Sequence, residues 1–201
     1  MPQLSYDKIT SRPVGTEEIE YGILYGNEKI VFIKVGADGS IRGYQDKYLK
    51  MAHRVHERLG ATVICASNNT EVDCADQVVA DEAMIAKVAA DCGFDDFEVY
   101  FVGTSDGGYQ NLLLAKEIPQ TVKILGINPS LSSVQDFVEK VQALPHVQKI
   151  IVYGTKDDVY DECVPELQAL ECENLEILTV EGADHEFTDM VDEFIALIDL
   201  I

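Results

Sequence analysis

The sequence has 201 residues, 47% hydrophobic and 25% charged, the balance of a globular chain long enough to bury a core without staples. Thirty-six acidic residues against fifteen basic ones give a net charge of -21, whose field repels phosphate backbones and anionic lipid heads and so excludes nucleic acid and membrane surfaces as partners. No leader pattern and no run of about 18 apolar residues occurs, and five cysteines, odd in number and without a C-x-x-C pair or a neighbouring histidine, predict a reduced, cytoplasmic protein with no metal site.

In chain order, Ile19, Tyr21, Ile23 and Tyr25 alternate as a strand, Gly26-Asn27 reads as a turn, and a second strand runs from Lys29 to Val35. An antiparallel hairpin is expected to open the fold. Short β-rich runs then alternate with helical segments. The runs are 30–35, 62–66, 98–102, 123–127, 149–153 and 176–180, nearly continuous in apolar residues, as strands covered on both faces are. Between them Tyr48, Leu49, Ala52, Val55 and Leu59 recur at helical spacing. So do Val78, Met84, Ile85 and Val88, then Phe137, Val141 and Leu144, and a closing helix carries Met190, Phe194, Ile195 and Ile198. Pro13, Pro119, Pro129, Pro145 and Pro165 fall at expected loops or element starts, and neither linker nor repeat divides the chain. The expectation is one domain over residues 1–201, a three-layer α/β/α sandwich around a mainly parallel sheet.

The run 98–102 leads into Gly103-Thr104-Ser105-Asp106-Gly107-Gly108 and then a helical stretch. This is G-x-S-x-G in a strand-turn-helix setting, where a tight strained turn lifts the serine clear of the sheet and small flanking residues avoid collision. Ser105 is the candidate nucleophile, and the Asp106 amide, at a helix start, can donate to an oxyanion. Neither G-x-x-x-x-G-K-[ST] nor G-x-G-x-x-G accompanies the turn, which leaves a nucleotide reading without support.

A serine hydroxyl needs a base at neutral pH. Of four histidines, His185 lies in Gly182-Ala183-Asp184-His185-Glu186-Phe187, a loop after run 176–180 that opens on the same sheet edge as the serine. His53 and His56 share a helix with Lys50, Arg54 and Arg58 and read as solvated or packing residues, and His146 sits at the opposite edge. A carboxylate must fix the imidazole tautomer, and Gly154-Thr155-Lys156-Asp157-Asp158 offers two.

Together the loops at 103–108, 154–158 and 182–187 resemble those of the α/β-hydrolase superfamily over essentially the whole chain from Ile19. The order Ser, Asp, His on successive strand ends is that of the family. The resemblance implies Asp157, third after its glycine, as the acid and His185 as the base. It implies a second oxyanion donor from the loop Val35-Gly36-Ala37-Asp38, with either Gly36 or Ala37 donating, since Val35-Gly36 stands where the family's His-Gly is common. Because Ile127-Asn128-Pro129-Ser130 passes almost directly to the next helix, no cap domain is expected, and the site should be shallow, as in small esterases and thioester hydrolases.

The expected chemistry is therefore hydrolysis of a small-molecule acyl substrate through an acyl-enzyme on Ser105, with no cofactor and no metal. A homo-oligomer is left open. The rivals are a non-catalytic small-molecule-binding protein on the same fold, an acyltransferase using the same triad, and a peptidase. Tyr44, Lys47, Asn68, Asn69, Tyr109 and Leu131 are candidate pocket neighbours.

Overall fold

The computed structural model describes residues 4–130 and 133–201; Leu131 lies outside them. Eight strands among these form one sheet: β1 (Lys8–Val14), β2 (Glu17–Leu24), β3 (Asn27–Lys34), β4 (Ala61–Ala66), β5 (Glu98–Thr104), β6 (Thr121–Ile127), β7 (Gln148–Gly154) and β8 (Leu175–Val180). Their spatial order is β1-β2-β4-β3-β5-β6-β7-β8. From β4 to β8 every neighbouring pair is parallel, while β2 is antiparallel to both β1 and β4.

An antiparallel hairpin does open the fold, but with other strands than expected. β1 and β2 form it around Gly15, whereas β2 and β3 lie on opposite sides of β4. The Gly26-Asn27 connection is a spacer: Gly26 N-H donates to Thr62 Oγ1 and Asn27 N-H to the Gly60 carbonyl, so the start of β4 occupies the place a hairpin partner would take. β1 is polar and half exposed and contains Pro13, tolerated because this is the edge of the sheet. β8, at the other edge, is only half covered.

Two helical layers cover the sheet. On one face α2 (Cys74–Cys92), α3 (Asp106–Glu117), α4 (Val134–Gln142) and α5 (Tyr160–Gln168) pack on Ile30, Phe32, Phe101 and Ile124; on the other, α1 (Lys47–Leu59) and α6 (Val191–Ala196) pack on Val31, Ile33, Val102 and Leu125. The alternation along each strand divides its side chains between the layers. Helix α1 buries Tyr48, Leu49, Ala52 and Val55, three or four residues apart along one face, and α2 starts where the Asp73 side chain accepts from Ala75 N-H. Helix α5 was not expected; Pro165 lies inside it rather than at an element start, and its acidic outer face hides the apolar stripe of Cys163, Val164 and Leu167. From β6 to α4 only residues 128–133 intervene, too few for a cap.

The order of strands fixes where the loops converge. The chain leaves β3 through α1 to reach β4 on one side, then returns through α2 on the opposite face to β5 on the other side of β3. The connections after β3 and β5 therefore diverge, and a crevice is left above their C-terminal ends.

Candidate active site

Ser105 is the single residue between β5 and α3, and it carries the whole change of direction, with φ 53° and ψ -126°. For a residue with a Cβ such a conformation costs on the order of 1–3 kcal/mol and persists only where neighbours impose it. They do: Ser105 N-H donates to the Ile127 carbonyl at 2.9 Å, and the Ser105 carbonyl accepts from the N-H groups of Gly108 at 2.9 Å and Ser130 at 3.0 Å. The two motif glycines are sterically required. A Cβ on Gly103 would stand 2.5 Å from the Gly107 carbonyl oxygen, and one on Gly107 would stand 2.5 Å from that of Lys34.

The three loops singled out in the sequence meet here. His185 Nε2 lies 2.8 Å from Ser105 Oγ, and His185 Nδ1 lies 2.7 Å from Asp157 Oδ2. Asp157 is buried and its other oxygen accepts from Val159 N-H at 3.0 Å, whereas Asp158 is exposed. A carboxylate only accepts, so Nδ1 carries the ring proton and Nε2 is left to accept from the serine hydroxyl. The hydrogen bond that His185 donates to Asp157 raises the His185 pKa above its ordinary 6.5, and partial burial opposes it. Two other imidazoles are occupied elsewhere: His53 Nε2 is 2.9 Å from the Ser5 carbonyl and His56 Nδ1 is 2.8 Å from that of Ala61.

The loop after β3 packs against the nucleophile, for a Cβ on Gly36 would lie 3.3 Å from Ser105 Cβ. Gly36 N-H faces the buried Tyr48 hydroxyl at 3.5 Å. Among the described residues the amides of Ala37 and Asp106 meet no acceptor. Both are oriented by the carbonyl that shares their peptide plane: Gly36 C=O accepts from Gly39 N-H at 2.9 Å, and Ser105 C=O is held by Gly108 and Ser130. Asn68 joins the two sides, its Nδ2 donating to the Val35 carbonyl at 3.3 Å and to Asp106 Oδ2 at 2.8 Å.

Two further residues touch the site without having been anticipated. Asn128, fully buried at the end of β6 with φ 43°, donates from Nδ2 to the carbonyls of Asp184 at 3.1 Å and His185 at 2.9 Å, and its Oδ1 accepts from Gly154 N-H at 2.8 Å. It clamps the base loop to the acid strand. Asparagine tolerates positive φ better than other side chains, so an Asn-Pro at a strand end was the available signal. Ser130 places its Oγ 2.9 Å from Ser105 Oγ, and no sequence pattern marks it.

Of the remaining pocket candidates, Lys47 reaches the Glu186 carbonyl at 3.3 Å and so pins the base loop from α1, and Tyr109 donates to Asp136 on α4 at 2.7 Å. Tyr44 is exposed, and Asn69 serves the Gln77 side chain. Beside His185 lies a cavity of about 200 Å³ lined by Lys156, Asp158, Asp184, Glu186 and Thr188. No helix among the described residues is long and apolar enough to cross a membrane.

No protein-family model matches this sequence, and no curated protein does. Solved structures do match. A serine hydrolase homologue from Coxiella burnetii is 15% identical, with a TM-score of 0.70 over 98% of this chain and 97% of that one. Est1E from Butyrivibrio proteoclasticus is 14% identical, with a TM-score of 0.70 over 96% of each chain. A dienelactone hydrolase from Anabaena variabilis is 18% identical, with a TM-score of 0.66 over 98% of this chain and 95% of that one. The chain has the α/β-hydrolase fold.

Proposed function

We propose that this α/β-hydrolase-fold protein is a serine hydrolase that cleaves a carboxylic ester or related acyl bond through an acyl-enzyme on Ser105. The observation that carries the reading is the unbroken hydrogen-bonded series Asp157, His185, Ser105, ending on a serine held in a strained turn. In this mechanism Ser105 Oγ attacks the acyl carbon while His185 Nε2 takes its proton, and Asp157 holds the imidazole and stabilises the imidazolium. The amides of Asp106 and Ala37 receive the oxyanion, a contribution of roughly 3–4 kcal/mol per donor. Ala37 is assigned over Gly36 because the Gly36 amide faces Tyr48. His185 then passes the proton to the leaving group, and water, activated by the same base, releases the acid.

Five unpaired cysteine thiols fit a reducing, cytoplasmic setting for a chain working as one domain. A panel of p-nitrophenyl esters and acyl thioesters of increasing chain length tests the assignment. The expected result is release of free acid by the wild type and none above background by Ser105→Ala or His185→Ala. Acyl esters formed with an added alcohol would point to a transferase, and a folded wild type inert across the panel would point to a binding protein.

A further inference from the structure

The hydroxyl of Ser130 lies within hydrogen-bond reach of the reacting atom, and the triad leaves it without a task. Its Oγ is 2.9 Å from Ser105 Oγ, and its backbone N-H donates to the Ser105 carbonyl at 3.0 Å. The direction of the hydroxyl contact follows from proton bookkeeping. His185 Nδ1-H is committed to Asp157, so Nε2 accepts; the single Ser105 hydroxyl proton is committed to Nε2; Ser130 O-H must therefore donate to Ser105 Oγ.

We propose that Ser130 is a further catalytic residue, one that stabilises the departing Ser105 oxygen when the acyl-enzyme is hydrolysed. This rests on the acyl-enzyme reading of Ser105. In the acyl-enzyme, Ser105 Oγ is the ester oxygen and has lost its proton, but the Ser130 hydroxyl remains within reach of it. Water adds to the acyl carbon as His185 takes one of its protons; the tetrahedral intermediate then breaks its C-Oγ bond, the electron pair goes to Oγ, and the imidazolium returns the proton there. Negative charge builds on Oγ during that cleavage, and a hydroxyl already aimed at it strengthens its hydrogen bond as the charge grows. Ser130 keeps its own proton throughout. During acylation the same bond holds back the Oγ lone pairs, so its benefit falls on the second half of the cycle. It also fixes the resting rotor of Ser105, keeping the nucleophile's O-H aimed at His185 Nε2.

The test is stopped-flow hydrolysis of p-nitrophenyl acetate, an activated ester whose good leaving group speeds acylation and so exposes the deacylation step, with wild type, Ser130→Ala and Ser130→Thr. Ser130→Ala is expected to keep a p-nitrophenol burst near one per enzyme while kcat falls by roughly 10- to 100-fold, with acetylated Ser105 accumulating in the intact mass. Ser130→Thr, which retains the hydroxyl, should recover most of kcat. The proposal is overturned if Ser130→Ala turns over like the wild type. It is overturned equally if burst and steady-state rates fall together and the melting temperature drops, the mark of a structural role. A wild type with no burst and no turnover would refute the acyl-enzyme reading beneath it instead, a distinguishable outcome.

Discussion

Two aspartates in this protein each face a nitrogen partner, and they are built in opposite ways. Asp81 on α2 meets Lys34 on β3 at 2.8 Å with side chains 2% and 0% exposed. Tyr21 donates to its other oxygen at 2.8 Å, while Lys34 also donates to the Ser67 carbonyl at 3.0 Å and to Gln77 Oε1 at 3.2 Å. Burial pushes the Asp81 carboxyl above its usual range, against the pull of Lys34 and Tyr21. Asp157 is equally buried at 1%, but its partner His185 is 38% exposed and turns its second nitrogen on Ser105. A carboxylate-nitrogen pair closed at both ends can only hold the fold, here bracing β3 directly below the Gly36 loop. Open at one end, the same pair can move a proton.

The largest effect should come from disabling the open pair without disturbing its shape. Asp157→Asn is expected to lower kcat by about 10⁴-fold, because the amide stabilises the wrong tautomer of His185, and to leave the melting temperature nearly unchanged. Retained activity in a folded variant would show that Asp157 does not orient the base.

The closed pair should answer in stability. Lys34→Met leaves Asp81 a buried carboxylate without its cation and is expected to cost about 3–5 kcal/mol in denaturant unfolding. The double variant Lys34→Met with Asp81→Asn, neutral and still offering Tyr21 an acceptor, should recover a large part of that loss and keep kcat close to wild type. Activity lost in the double variant, with stability restored, would mean that the closed pair also takes part in the chemistry.

Between the two stands Asn128, a closed polar group attached to the open site. Asn128→Ala removes its side-chain contacts with the carbonyls of Asp184 and His185 and with Gly154 N-H. A cost of about 1–3 kcal/mol in stability is expected, with kcat falling further than KM changes; a loss of stability with kcat unchanged would limit Asn128 to packing.

The smallest effect sharpens the open pair. Because the Asp157 contact raises the His185 pKa above 6.5 and only the neutral imidazole accepts the serine proton, kcat/KM should rise with pH through a midpoint above 6.5 and be lost below it. A midpoint at or below 6.5 would show that burial outweighs the contact.

Much of this was written in local sequence. The buried parallel strands announce themselves as apolar runs, and Ser105, Asp157 and His185 each sit in a glycine-marked loop just past one, so their meeting follows from the order of strands. What escaped was non-local or masked. β1 is a polar edge strand containing Pro13, and α5 carries Pro165 and an acidic face. The Gly26-Asn27 turn looks like a hairpin because nothing nearby reveals that β4, more than thirty residues later, will slide between its arms. Asn128 and Ser130 act through partners 25 to 57 residues distant, which no spacing rule registers.

The central claim is that the open pair activates Ser105. It is tested most directly by treating the folded protein with a fluorophosphonate and locating the adduct by peptide mass spectrometry, beside Ser105→Ala and His185→Ala. One adduct, on Ser105, absent from the first variant and strongly slowed in the second, is the result the account predicts. A folded wild type that stays unlabelled, or is labelled at another residue, would contradict it.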